Sequence, residues 1–378
     1  MELAQEDSLR LNVMLHQSVH AVRIDESSMT VHALSDRGEA KVKLNPNCRD
    51  EQYLKRVREL ISSHVLGSPG GYPVYLRRWT RMGQARADSL GRLLLLGEPE
   101  AVVAVVHAEG LTDDLARHAW WAMPVAENAR RMLARSCVNR SDFGAELARY
   151  LLEYLPFETE AHDIIESIRL VVQRPELLSA EQRRELWAKG RTKNTYYVGF
   201  LQAIPDELPE DLPAHPRYEE LRARLDELAG AGNLYAQQLR RVLSARGQVF
   251  MATAETVLKK PLNQDVVVAL VGAIGNYFAG VRRDEDKPQG LEVAALVERA
   301  QQRWVNAATD EPLYQLKDKL PDCEAEAVAM LALADVSEAL VLPIFARTDA
   351  IGTVMRRKLE PVTAPLLQQF QVLRRAAR

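Results

Sequence analysis

The densest grouping of chemistry-bearing side chains in the sequence is Tyr75, Arg77, Arg78, Trp79 and Arg81, three guanidiniums interleaved with aromatic rings. Arginine pairs phosphate oxygens bidentately, and tyrosine or tryptophan rings stack on unpaired bases, so the grouping suits single-stranded nucleic acid. The stretch around it is basic too, with nine basic against four acidic side chains over residues 49–92. The plainer reading, which we favour, makes Tyr75, Leu76, Trp79 and Met82 one packed apolar stripe and pairs the arginines with carboxylates elsewhere. Under either reading these five stand as the candidate partner-binding residues. A second basic group, Arg356, Arg357, Lys358, Arg374, Arg375 and Arg378 against the single acid Glu360, either extends such a surface or complements a helix C-terminus.

Glu158, His162 and Glu166, with Asp163 adjacent, have i, i+4, i+8 spacing, which on a helix would align oxygen and nitrogen metal ligands. Di-metal carboxylate helices repeat Glu-x-x-His on a second helix, and no second copy occurs, so a solvated polar face is the simpler expectation. His16 and His20 are also four apart but straddle the start of a β-prone region, which makes a shared face doubtful. Cys48, Cys137 and Cys323 are scattered and odd in number, spelling neither a disulfide framework nor a Cys-x-x-Cys site, and they imply a reducing compartment. The chain contains no Gly-x-Ser-x-Gly elbow, no His-Glu-x-x-His and no phosphate-cradling or dinucleotide-binding glycine loop. The residues therefore predict no enzyme, with no catalytic residue, no metal and no cofactor. The alternative is a sulfur-transfer or metal-dependent enzyme using Cys137 or the Glu158/His162 pair. Trp120 and Trp121 close one helix with a large apolar payload, one ring as an inter-helix anchor and the other free to cover a neighbour or a partner.

The elements that must position these residues are mostly helices. From Val19 to Leu44, short alternating runs are broken by Asp25-Glu-Ser-Ser28 and Asp36-Arg-Gly38, which predicts an antiparallel meander of about three strands. Tyr53, Leu54, Val57, Leu60 and Ile61 then repeat at helical spacing, so a helix over 50–66 is expected to cover the sheet. Past the break at Gly67, Pro69, Gly70, Gly71 and Pro73, helical segments of ten to eighteen residues follow one another, cut by glycine, proline or capping residues. Thr112, Ser141 and Ser179 with Gln182 read as N-caps. Pro205, Pro209, Pro213 and Pro216 among acids read as a second linker, and Val341–Ala346 as a short strand or an extended buried stretch.

The expected fold is mainly α: an irregular, α-solenoid-like stack of antiparallel helical hairpins behind a short N-terminal antiparallel β-meander. Its parts are a β-meander with its covering helix (1–68), a helical array (69–204), a Pro-rich acidic linker (205–217) and a C-terminal helical region (218–378). Apolar residues make up 47% and charged residues 27% of the 378, the range of a chain that folds on a core, and the formal charge of −3 gives no global pull toward nucleic acid or anionic lipid. The acidic, polar start lacks the pattern of an export signal and no apolar run reaches the roughly 20 residues of a membrane span, so a soluble cytoplasmic protein is expected.

The run from Gly71 through Tyr75-Leu-Arg-Arg-Trp-Thr-Arg81 and Leu93–His107 to Ala119-Trp-Trp-Ala-Met-Pro124 and Glu127–Leu133 resembles the sulfur reduction protein family DsrS. That family accompanies the dissimilatory sulfite reductase system of sulfur-oxidising bacteria. The likeness is strongest over residues 70 to 200 and thinner toward the C-terminus. It implies a cytoplasmic protein that regulates sulfur-oxidation proteins, after transcription or otherwise, by binding a protein partner or, as the narrower option, RNA. It carries no catalytic or ligand-binding residues to transfer.

Overall fold

The computed structural model describes residues 3–71, 87–174, 176–283 and 292–374. The chain is mainly helical, with 20 helices and one three-stranded antiparallel sheet among the described residues. It forms two compact units, Met1–Pro156 and Phe157–Arg378. The division thus falls between two helices, at neither the glycine-rich nor the proline-rich break.

The first unit begins with a helix absent from the sequence expectation, α1 (Gln5–Leu15), followed by β1 (Val19–Asp25), β2 (Thr30–Ser35), β3 (Gly38–Lys43) and α2 (Asp50–Leu66). The strands lie in the order β1-β2-β3, with Val22 opposite Ala33 and Val31 opposite Val42, so the small and β-branched residues of the meander meet on one face. Both turns fall where the sequence placed them. In the first, the Asp25 carboxylate accepts from Ser27 Oγ at 2.7 Å and from Ser28 Oγ and N at 2.6 and 3.2 Å. These donors hold its pKa far below the carboxylate range.

Fully buried Asp7 ties α1 to α2 and to the chain leaving β3. Its carboxylate accepts from Tyr53 Oη at 2.5 Å, Asn45 N at 2.7 Å and Asn45 Nδ2 at 3.2 Å. Burial, then this carboxylate, push the Tyr53 phenol up to about 12. The cover expected from α2 is supplied by other helices: α2 packs on α1, α1 packs on β3, and α3 (Ala87–Leu94) and α5 (Asp113–Ala122), on either side of α4 (Pro99–His107), pack on β1. Gly97 makes this close approach feasible. It has φ +65°, and a Cβ there would lie 3.0 Å from Ile24 Cγ1. Three further helices complete the unit, α6 (Ala126–Leu133), α7 (Ser136–Asn139) and α8 (Asp142–Tyr154); Thr112 and Ser141 cap α5 and α8 as expected.

The second unit runs α9 (Ala161–Val172), α10 (Ala180–Lys189), α11 (Thr195–Ala203), α12 (Tyr218–Gly230), α13 (Leu234–Leu243), α14 (Ala245–Lys259) and α15 (Gln264–Tyr277). It continues with α16 (Val293–Val305), α17 (Glu311–Lys319), α18 (Glu324–Ala334), α19 (Leu342–Phe345) and α20 (Gly352–Arg374). The expected capping box at Ser179 and Gln182 is present on α10. Residues 326–334 of α18 are all buried, and α13, α15, α16 and α20 surround it. Helix hairpins such as α12/α13 are therefore joined by packing between helices far apart in the chain. The stretch 341–346 is α19 and its flanks, short helix instead of strand, with Val341 buried and Leu342 exposed.

The proline-rich acidic stretch 205–217 is held inside the second unit and does not separate two bodies. Asp206 accepts twice from Arg241, at 2.8 and 2.7 Å, Glu210 accepts from Trp187 Nε1 at 3.1 Å, and His215 N donates to Leu243 O at 2.9 Å. Arg241 also lies 3.9 Å from the Tyr277 ring, which stacks on Phe250 at 3.8 Å, so the strap is fixed to the aromatic core of its unit.

Gly275 in α15 sits where a Cβ would be 2.1 Å from Val336 O, so only a bare backbone permits this crossing. Gly275→Ala is expected to destabilise the protein by about 1–3 kcal/mol, the usual cost of overpacking. Urea unfolding monitored by circular dichroism checks this, and an unchanged midpoint would contradict the packing described.

Candidate functional site

The candidate residues Tyr75, Arg77, Arg78, Trp79 and Arg81 lie outside the described residues. The other expectations can be placed. Glu158 is not on a helix with His162: it precedes α9, whose N-cap is Glu160, and its backbone carbonyl accepts from Lys193 Nζ at 3.3 Å. Helical spacing counted from Glu158 failed because the 3-10 turn Leu155–Phe157, which holds Pro156, and the non-helical residues 158–160 precede α9. His162 is exposed, 3.5 Å from Glu166 Oε2, and Glu166 is also 3.5 Å from Arg169, which makes this row an ion-paired helix face. Among the described residues no three His, Cys, Asp or Glu side chains are grouped to hold a metal ion.

Of the cysteines, Cys137 is exposed, with Sγ 3.4 Å from Leu111 O, Cys48 is partly exposed and Cys323 is buried. Burial, reinforced by Glu326 and Asp322 against Arg217, pushes the Cys323 thiol up to about 12, so it stays protonated and unreactive at neutral pH. In the basic C-terminal group, Lys358 donates to Thr348 Oγ1 at 2.7 Å and Arg374 pairs with Glu255, while Arg375 and Arg378 lie outside the described residues.

What the fold does assemble is a polar and aromatic cluster where α5 crosses β1. Arg23 on β1 lies 4.9 Å over the Trp121 ring and donates to the Trp121 carbonyl at 3.4 Å. Trp121 Nε1 donates to Glu39 Oε2 at 3.3 Å, and Glu39 Oε1 is 2.5 Å from His32 Nδ1. The His32 hydrogen bond first, with help from Trp121 and Arg23, holds Glu39 below the usual carboxylate range against the opposing effect of burial. One helical turn back, His118 stacks on His20 with ring centres 4.8 Å apart and planes 3° from parallel, while His20 Nε2 meets Asp36 Oδ1 at 2.7 Å. Burial and then His20 push the His118 pKa down, opposed by Asp114 on its own helix and by Asp36. His16, by contrast, meets His64 edge-on at 4.8 Å and has no part in this cluster, because His16 ends α1 while His20 sits at the β-bulge of β1.

On the other side of α5, Trp120 meets Tyr150 edge-on at 4.8 Å, and Tyr150 stacks with Tyr154 at 5.8 Å. Trp120, Trp121 and Tyr150 are half-buried, and Tyr154 is 39% exposed. The end of α5 thus presents partly uncovered aromatic rings beside an arginine and a carboxylate. The sequence flagged the two tryptophans and His20, but missed Arg23, His32, Asp36, Glu39 and His118, which only the hairpin register and the α5 crossing bring together. The chain matches no protein-family model, no curated protein and no solved structure.

Because His118 has a lowered pKa in the folded protein, the unfolded chain binds its proton first. Stability is then full above the ordinary histidine pKa near 6.5 and declines as pH falls through that value toward the lowered one. An NMR titration, assigned with His118→Gln, should give a His118 midpoint below that of a free histidine; a midpoint at or above it contradicts the burial. Maleimide is expected to label Cys137 in the folded protein and Cys323 only after denaturant is added. Mass spectrometry of the labelled peptides reads the difference, and equal labelling under native conditions would refute it.

Proposed function

We propose that the protein is a non-catalytic cytoplasmic regulatory or accessory factor of dissimilatory sulfur oxidation, acting by binding a partner. A protein is the leading partner, and RNA the narrower option, which would fit control after transcription. Two observations support this reading. The DsrS-like run of residues extends from Gly71 to Leu133. Within it lies α5, whose Trp120 and Trp121 end the helix as a partly uncovered aromatic surface continued by Tyr150 and Tyr154, and this surface carries the proposal. Tryptophan, tyrosine and arginine dominate binding hot spots because rigid rings give much contact area for little lost freedom. Arg23, 4.9 Å over the Trp121 ring, adds a charge already held in place.

Deleting the gene is expected to lower the abundance of sulfur-oxidation proteins and slow sulfur turnover. Unchanged abundance and turnover would remove the reading. In pull-downs from sulfur-grown cells, the wild-type chain should enrich a sulfur-oxidation protein, and Tyr154→Ala, at an exposed position, should lose it while keeping its thermal midpoint. For the RNA option, filter binding should weaken as salt rises and disappear when Arg77, Arg78 and Arg81 become alanine; salt-insensitive binding rules that option out.

A further inference from the structure

The ladder between β1 and β2 pairs Val19 with Ser35 and Ala21 with Leu34, so His20 is the extra residue of the bulge, and a bulge re-aims the side chain it carries. That side chain meets His118 of α5 ring on ring, with centres 4.8 Å apart and planes 3° from parallel. The two rings are not equally provided for. A proton on His20 is matched by Asp36, whose Oδ1 lies 2.7 Å from Nε2. The His118 ring stacks but has no hydrogen bond or ion pair among the described residues. The charges among them that act on it are His20 on β1, Asp114 on its own helix and Asp36 in the turn between β2 and β3; α3, α4, α6 and α7, also packed on α5, add none. Nearby, Arg117 pairs with Asp113 at 2.8 Å, and Glu39 takes both Arg23 at 3.5 Å and His32 at 2.5 Å.

We propose that the His20–His118 stack is an acid-sensitive latch: it seats α5 on β1 while the two rings hold no more than one positive charge between them, and it releases the helix when both are charged. A neutral aromatic ring attracts a cation laid on its face, so the stack survives the first proton, which Asp36 favours on His20. The second proton sets two like charges ring on ring at 4.8 Å, with no carboxylate bonded to His118 to offset it. Burial and then His20 hold the His118 pKa down, so that proton arrives on the acid side of the ordinary histidine range, and the latch is closed above it and open below. Trp121, one turn along α5, moves with the helix. Its Nε1 leaves Glu39 Oε2, which lies 3.3 Å away in the seated state, and its ring leaves Arg23. His32 acts in the opposite sense, because its protonation tightens the pair with Glu39. The latch concerns how α5 sits on β1 and holds whether or not the aromatic end of the helix meets a partner.

Hydrogen exchange of the full chain, read by mass spectrometry with no partner present, tests the latch. The range runs from about pH 8 down to about pH 4.5, still above the ordinary carboxylate pKa values. After correction for the intrinsic pH dependence of exchange, the amides of α5 should lose protection by about tenfold while those of α2 keep theirs. His118→Gln and His20→Gln each remove one of the two charges and should leave α5 protected at the acid end, whereas His32→Gln should still lose that protection. Unchanged protection of α5 across the range, the same loss in both His118→Gln and His20→Gln, or a loss shared equally by α2, which is acid unfolding of the whole unit, would each overturn the proposal.

Discussion

A helix that is apolar all the way round has to be enclosed on every side, and when its end is buried with it, the last carbonyls still need donors. The second unit is arranged to meet that requirement for α18. Helices from four separate stretches of chain supply the walls. Arg282 supplies the donors, with Nε on Ala334 O at 2.5 Å and Nη2 on Gly275 O at 2.9 Å, joining the end of the central helix to the one that crosses it. The bare backbone at Gly275 belongs to the same arrangement, since a side chain there would push Val336 out of reach. The proline-rich strap, its Asp206–Arg241 pair and the Tyr277–Phe250 stack then close the flank of the wall built by α13 to α15.

The first unit solves a different problem. Three strands cannot stand alone, and no single helix covers them. Asp7 lets α1, α2 and the chain after β3 share one buried carboxylate, and Gly97 lets the start of the helical array press on β1. The crossing of α5 over that strand follows from this placement, and with it the juxtaposition of Trp121, Arg23, Glu39 and the histidines. The aromatic end of α5 is thus a by-product of how the sheet is enclosed.

Much of this architecture was legible in the sequence where the local signal was strong. The two hairpin turns, the caps at Thr112, Ser141 and Ser179, and the helix over 50–66 stand where composition put them. α1 escaped notice because Ala4 offers no side-chain cap and its apolar residues lie on both faces, Leu11, Met14 and Leu15 inward, Leu9 and Val13 outward. α20, at 23 residues the longest helix among the described residues, was hidden by Pro361 and Pro365, normally helix breakers. It persists because Met355, Leu359, Val362, Leu366, Phe370 and Leu373 line one buried face, and packing outweighs propensity. The α5–β1 cluster arises between elements distant in the chain, so no local spacing could reveal it.

The enclosure of α18 also sets an order of events during synthesis. One wall of the central helix is α20, and Gln248, far upstream, donates to Leu373 O at 3.0 Å near that helix's end. Translation delivers α18 before the last of the helices that shield it. Until α20 has left the ribosome, the nascent second unit exposes one side of its most apolar segment, the kind of surface that chaperones engage and that associates wrongly when crowded. The sheet of the first unit waits far less, since the helices that pack on it, α1, α3 and α5, lie within residues 5–122.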